Sequence, residues 1–276
     1  GQNVENAKKQ WMYDRSNREL CFQFNKRILV YFCVDLTEVY MTTRLAGKDT
    51  YFLPFNQGSA GAGKDGGKGN PENPNGYMTS YLWEEVLAKD SMMDIMQKFI
   101  SLQGKNLIFP RYHQLHAVRK ILADVKRRGA GHNYLIQHSA GSGKSNSIAW
   151  TAYRLASLFN DENKPIFASV IVITDRTVLN SQLIDTITKI DHTIGTVEAI
   201  GEGKTSQDLK DAINNGSRII ITTLQKFPVI YEEVDKAEGR NFAVIVDEAH
   251  SSQTGNSALK LKIALADVTT ALEELA

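Results

Sequence analysis

The chain has 276 residues, 42% of them hydrophobic and 23% charged, enough for one large domain or for a domain with part of another. Lys and Arg number 32 against 31 for Asp and Glu, a net charge of +1, so general attraction to a polyanion is excluded and any nucleic-acid binding must use a local surface. Two cysteines without C-x-x-C spacing, Cys21 and Cys33, read as buried thiols of a reducing compartment; no apolar run approaches the ~20 residues of a membrane span, so a cytoplasmic protein with no membrane partner is expected.

Residues 1–55 predict a short helix and two strands, Arg27–Val34 and Glu38–Thr43, the strands around the turn-like Asp35-Leu36-Thr37. This is too little for a domain and is expected to be the tail of something larger. Residues 56–76, "NQGSAGAGKDGGKGNPENPNG", hold seven glycines, two prolines and no large apolar side chain, which predicts a flexible loop or linker. From Tyr77 to Leu102 the apolar positions Leu82, Val86, Met92, Ile95, Met96 and Phe99 recur at helical spacing. Beyond Leu107 the pattern alternates: helix 114–127, strand 134–137, helix 146–159, strand 169–174, helix 178–190, strand 196–200, helix 206–213, and strands 218–223 and 242–246. Short β-branched runs between helices predict an α/β fold with a parallel sheet covered on both faces. The chain thus divides into 1–55, 56–106 and 107–276.

Two stretches compete as a phosphate loop. "HSAGSGKS" (138–145) has a histidine where the pattern G-x-x-x-x-G-K-[ST] has its first glycine, and "GSAGAGKD" (58–65) keeps that glycine but ends in Asp65. A phosphate loop leaves a strand, wraps oxygens with backbone N–H groups and opens a helix whose amino end carries partial positive charge. The first stretch has a predicted strand before it and a helix after it; the second has neither. The hydroxyl after the lysine is the usual magnesium ligand, and a carboxylate there would repel phosphate. Ser139, Ala140, Gly141, Ser142, Gly143, Lys144 and Ser145 are therefore the expected ATP-binding residues, with Lys144 on the β and γ phosphates and Ser145 on Mg²⁺. His138 sits at the strand exit, far enough from the phosphates for a side chain to be accommodated.

After the apolar run Ala243–Val246 come Asp247, Glu248, Ala249 and His250. An aspartate at the carboxyl end of a buried strand reaches the magnesium, and a neighbouring glutamate orients and deprotonates the attacking water. Taken with the loop, these residues resemble the first RecA-like motor domain of superfamily 2 helicases with a DEAH box. The resemblance implies that Gln114, thirty residues before Lys144, reads adenine and that His250 couples hydrolysis to movement. It further implies that "TDRTVLNSQL", with Asp175, Arg176, Leu179 and Gln182, and "ITTLQKF", with Thr222, Thr223 and Gln225, contact DNA. His113-x-x-His116 has no nearby Cys or acid at zinc spacing, so no zinc site is expected.

A closer resemblance lies in "FLPFNQG", "GNPENP", "GYMTSYLWEEVLAKDSMMDIMQKFI", "FPRYHQLHAVRKIL" and "DEAHSSQTG", which together are similar to the restriction (R) subunit of type I restriction-modification systems. That family implies a RecA-like P-loop domain with a parallel sheet, preceded by the C-terminal part of a PD-(D/E)xK-type α/β nuclease domain. It also implies double-stranded DNA and the modification and specificity subunits as partners, with ATP and Mg²⁺ as cofactors. The nuclease carboxylates would precede residue 1, and Gln10 and Tyr13 stand one residue closer than the family's Q-x-x-x-Y spacing. With no second motor domain after His250, a fragment that binds ATP–Mg²⁺, hydrolyses it slowly and neither translocates nor cleaves DNA is expected. Another DNA helicase, and a nucleotide-binding module without catalysis, remain open as alternatives.

Overall fold

The computed structural model describes residues 2–139, 141–174, 181–190, 196–201, 203–223, 226 and 239–247. It forms two compact units, Gly1–Ala117 and Val118–Ala276.

In the first unit, helix α1 (Val4–Lys9) starts from a capping box in which Asn3 and Asn6 each accept the other's backbone N–H. The chain continues as a π-helical turn, Gln10–Asp14. Strands β1 (Tyr31–Val34), β2 (Val39–Thr42) and β3 (Leu53–Pro54) form an antiparallel sheet in the order β1-β2-β3. Tyr31 and Cys33, then Val39 and Met41, are buried, the alternation that a period of two requires. Asp35 closes the β1–β2 hairpin: its carboxylate accepts N–H bonds from Thr37 and Glu38, and a third from Val4 that ties α1 to the turn.

The glycine-rich segment departs from the expectation of a flexible linker. Gly58 N–H donates to the Gly69 carbonyl and Ser59 N–H to the Gly67 carbonyl, so the segment folds back on itself. Asn70, only 3% exposed, fastens it to the sheet. Its Oδ1 accepts from Gln57 N–H, and its Nδ2 donates to the Thr37 carbonyl and to Asn56 Oδ1. Buried polar groups must be paired, and here the pairing of one asparagine replaces the apolar core that the composition lacks.

The apolar spacing of 77–102 also resolves into more than one helix. A π-helical turn, Leu82–Val86, precedes α2 (Lys89–Lys98), and the chain then enters the hairpin β4 (Ser101–Gln103) and β5 (Asn106–Ile108). Tyr81 donates its hydroxyl to the Phe55 carbonyl at 2.6 Å, and Thr79 donates to the Asp35 carbonyl. These bonds make 77–86 part of the same unit as the small sheet. Of the two cysteines, which are both free, Cys33 is buried as expected but Cys21 is exposed. Helix α3 (Tyr112–Arg128) follows, and the division between units falls inside it, after Ala117.

The second unit carries α4 (Lys144–Ala156), β6 (Ser169–Thr174), α5 (Ser181–Thr188), β7 (Val197–Ile200), α6 (Ser206–Asn214), β8 (Ile219–Thr223) and β9 (Phe242–Val246). The four strands form a wholly parallel sheet in the order β7-β8-β6-β9. All residues of β6 and β8 are buried, as a sheet covered on both faces requires.

The register assigns each side chain to a face. Ile171 and Ile173 pair with Ile220 and Thr222 on one side and with Val244 and Val246 on the other. With Ile200 they pack against Leu209, Ala212 and Ile213 of α6. Burying an aliphatic side chain of this kind contributes roughly 1.5–3 kcal/mol. Crossovers between parallel strands are right-handed, and β6→α5→β7 runs across the sheet in the direction opposite to β7→α6→β8. Helix α5 therefore covers the other face, and α4, which packs against α5, β6, β8 and β9, shares that layer.

The strand predicted at 134–137 is not formed. Tyr134, Leu135 and Ile136 are exposed at 39%, 87% and 45%. Tyr134 instead donates its hydroxyl to the Asp124 carboxylate near the end of α3 at 2.9 Å, beside the ion pairs of Asp124 with Arg127 and Arg128. An apolar run becomes a strand only where a sheet edge takes up its backbone bonds, and in this structure no ladder includes these residues. No helix among the described residues is long and apolar enough to cross a membrane.

Candidate functional site

The loop before α4 owes its shape to two glycines. Gly141 has φ +71° and Gly143, at the amino end of α4, has φ +82° with ψ +39°, both left-handed. A Cβ on Gly141 would meet nothing within 4 Å, so glycine is required there by backbone conformation and not by crowding. Ser142 N–H donates to the Ser139 carbonyl at 3.3 Å, and the Gly143 carbonyl takes the first helical bond, from Asn146 N–H at 3.1 Å. The first N–H groups of a helix have no acceptor within it, and with the partial positive charge of that end they attract an anion. Ser139, Gly141 and Gly143 are exposed, Ser142 is buried, and Lys144 and Ser145 are half-buried. His138 is half-buried too, and Ala140 lies outside the described residues.

The rival stretch has four of its eight backbone donors in use. Gly58 and Ser59 N–H bond to carbonyls of the returning chain, and Gly61 and Lys64 N–H bond to the Gly58 and Gly61 carbonyls within the loop. It opens no helix, so it lacks the dipole end as well.

Connectivity then places the amino end of α4 over one end of the sheet. Ile166 N–H donates to the Leu158 carbonyl at 3.0 Å, so after a short excursion the chain returns to the end of α4 before entering β6. Helix α4 therefore runs antiparallel to β6. Its 13 residues rise about 20 Å, close to the length of a strand of six residues. Lys144 and Ser145 come out at the carboxyl edge of the sheet, on the α4 and α5 face.

Asp247 stands at that edge. Its N–H donates to the Ile173 carbonyl at 2.9 Å, which continues the β6–β9 ladder by one step. Thr174 pairs with Thr223, and the same step sets Asp247 beside Thr174. By alternation these three residues share the α4 face, away from α6. A hydroxyl, a carboxylate and an ammonium on one edge are the hard oxygen donors and the cation that a nucleotide with Mg²⁺ calls for. The donor set of Ser145, Asp247 and Lys144 fits that group.

Other expected site residues are distributed differently. Gln114, 3% exposed, lies in the first unit, where its Oε1 accepts the Arg111 N–H at 2.8 Å. Thr222 and Thr223, expected to offer hydroxyls to DNA, are 0% and 4% exposed in β8. Neither presents a hydroxyl to a strand in this structure, because β8 is covered on both faces. Arg176, Gln225, Glu248 and His250 lie outside the described residues, as does the side chain of Gln182. The register adds a role for Thr174, the first residue of "TDRTVLNSQL", whose signal is a neighbour across the sheet and not along the chain.

The chain is similar to the type I restriction enzyme HindI endonuclease subunit of Haemophilus influenzae, 27% identical over 182 residues, covering 62% of this chain and 17% of that protein. It is also similar to the putative type I restriction enzyme MjaIXP endonuclease subunit of Methanocaldococcus jannaschii, 26% identical over 214 residues, covering 72% of this chain and 19% of that protein. The chain thus spans less than a fifth of the length of these relatives. Among solved structures, the UvsW helicase of bacteriophage T4 aligns with a TM-score of 0.44 at 18% identity, covering 64% of this chain and 56% of that one. A family model described as SWI2/SNF2 ATPase matches residues 113–271, the stretch that holds the loop, the parallel sheet and Asp247. That match takes in more than half of the chain, which therefore belongs to the SWI2/SNF2 ATPase family.

Proposed function

We propose that the chain is the ATP-binding part of the DNA-translocating restriction subunit of a type I restriction-modification endonuclease, built on a RecA-like motor domain. The observation that carries this reading is the convergence of Lys144, Ser145 and Asp247 on one edge and one face of the parallel sheet. In this reading residues 139–145 hold the triphosphate, with Lys144 neutralising the β and γ phosphates. Ser145 and Asp247 would hold Mg²⁺, which when bound supplies charge neutralisation on the phosphoryl group. Glu248 is the base for the attacking water and His250 the coupling residue. Arg176, Gln182 and Gln225 contact DNA, and residues 1–55 belong to the end of a nuclease domain. The likeness to restriction subunits supports double-stranded DNA and the modification and specificity subunits as partners, and cytoplasmic location with them.

Titration of a fluorescent ATP analogue tests the site. Lys144→Ala is expected to abolish Mg²⁺-dependent binding and Lys64→Ala to leave it unchanged; the reverse pattern would overturn the assignment of the loop. DNA-stimulated ATP hydrolysis that disappears in Glu248→Gln, with binding retained, supports the motor reading. A rate insensitive to both DNA and this substitution would leave the chain a nucleotide-binding module.

A further inference from the structure

Strand β6 ends in a residue that its neighbours do not explain. All six side chains from Ser169 to Thr174 are buried, and Thr174 is 2% exposed with its Oγ1 lacking a hydrogen-bond partner among the described residues. Valine has the same shape, the same preference for strands and no hydroxyl to strand. A buried hydroxyl left unpaired costs about 1–3 kcal/mol, so threonine is the poorer choice for the sheet alone. A threonine in a helix can bond the carbonyl one turn back, as Thr151 does to Ser147, but a strand offers no such local acceptor. The partner must come from across the sheet or from outside it.

The register names its neighbours across the sheet. Thr174 pairs with Thr223 on one side, and the Asp247 N–H to Ile173 carbonyl bond sets Asp247 on the other. All three lie on the α4 face at the carboxyl edge, the edge reached by Lys144 and Ser145. We propose that Thr174 is a positioning residue of the nucleotide site, its hydroxyl donating to the Asp247 carboxylate when nucleotide and divalent cation are bound and so fixing which oxygen faces the cation. This rests on the reading of Lys144, Ser145 and Asp247 as the ATP–Mg²⁺ site. A carboxylate that binds a cation needs its second oxygen held, and removing such a holding group typically lowers metal affinity about 10–100-fold.

The test uses the 276-residue chain, a fluorescent ATP analogue titrated with and without Mg²⁺, and thermal melting of the ligand-free protein. Thr174→Val is expected to weaken Mg²⁺-dependent binding about tenfold while leaving binding in EDTA unchanged. Its melting temperature without ligand should equal or exceed that of the wild type, because an unpaired hydroxyl has been removed. Thr174→Ser keeps the hydroxyl and should restore the affinity; Thr174→Ala, which cannot crowd β6, should weaken binding as valine does. Ser169→Ala removes a second buried, unpartnered hydroxyl at the far end of the same strand and should bind as the wild type does. A Thr174→Val affinity within about twofold of the wild type in Mg²⁺ overturns the proposal, as does an equal loss in Ser169→Ala. Wild-type binding that ignores Mg²⁺, or that survives Lys144→Ala, instead overturns the reading of the site on which the proposal stands.

Discussion

Asn70→Ala probes how a segment with seven glycines is held in one conformation. Asn70 Oδ1 accepts from Gln57 N–H at 2.8 Å, and its Nδ2 donates to the Thr37 carbonyl at 2.8 Å and to Asn56 Oδ1 at 2.9 Å. Asn56 Oδ1 in turn accepts the Val39 N–H at 2.7 Å, so the lost amide loosens the start of β2 as well. Each bond contributes about 1 kcal/mol net, and a backbone group left buried without a partner costs about 1 kcal/mol or more. Alanine removes three bonds and strands the Gln57 N–H and the Thr37 carbonyl; with some water entering the gap, a loss of ~3 kcal/mol is expected. At 1.36 kcal/mol per tenfold change, amide hydrogen exchange of Gly58 and Ser59 should accelerate roughly a hundredfold, read by mass spectrometry on peptides covering 56–70. Exchange already fast in the wild type, or changed less than about threefold, would refute the ordered loop and restore the flexible linker that the composition suggests.

Other outcomes follow from the same unit. Burial pushes the Cys33 thiol up to about 12, only partly offset by Lys8, whereas Cys21 is exposed. A thiol reagent at pH 8 should label Cys21 in the native chain and reach Cys33 only after denaturation, since the thiolate is the reactive form; fast labelling of both would contradict the burial of β1. Burial raises the Asp35 carboxyl, but N–H bonds from Thr37, Glu38 and Val4 outweigh it and leave the pKa lowered. A lowered folded pKa means that the stabilisation is complete above the unfolded value, about 3.9, and is lost as pH falls through the folded one. Asp35→Asn should therefore flatten the acid limb of stability below about pH 4, followed by urea unfolding across pH, and an unchanged limb would remove Asp35 from that role.

The parts that were legible in the sequence are those with local causes. Helices α4 and α6 and strands β6, β8 and β9 lie where periodicity and apolar runs put them, because the 3.6 and 2 residue repeats of burial are written along the chain. The helix that follows the 138–145 stretch was likewise legible, and none follows the rival at 58–65. Where the reading departed, the deciding partner was distant. Tyr134–Gln137 has the composition of a strand, but Tyr134 bonds to Asp124 and no sheet edge pairs with the segment. Residues 56–76 have the composition of a linker, but one asparagine thirty-three positions from Thr37 supplies the order.

Residue types and spacing along the chain determined that a glycine-bearing loop opening a helix, a parallel sheet and a strand-end aspartate were present. Only the tertiary structure decided that Lys144, Ser145, Thr174 and Asp247 share one face of one edge. Parallel pairing sets strands β6 and β9 side by side although some seventy residues separate them, and strand register, which decides neighbours to the residue, exists only once those strands are paired.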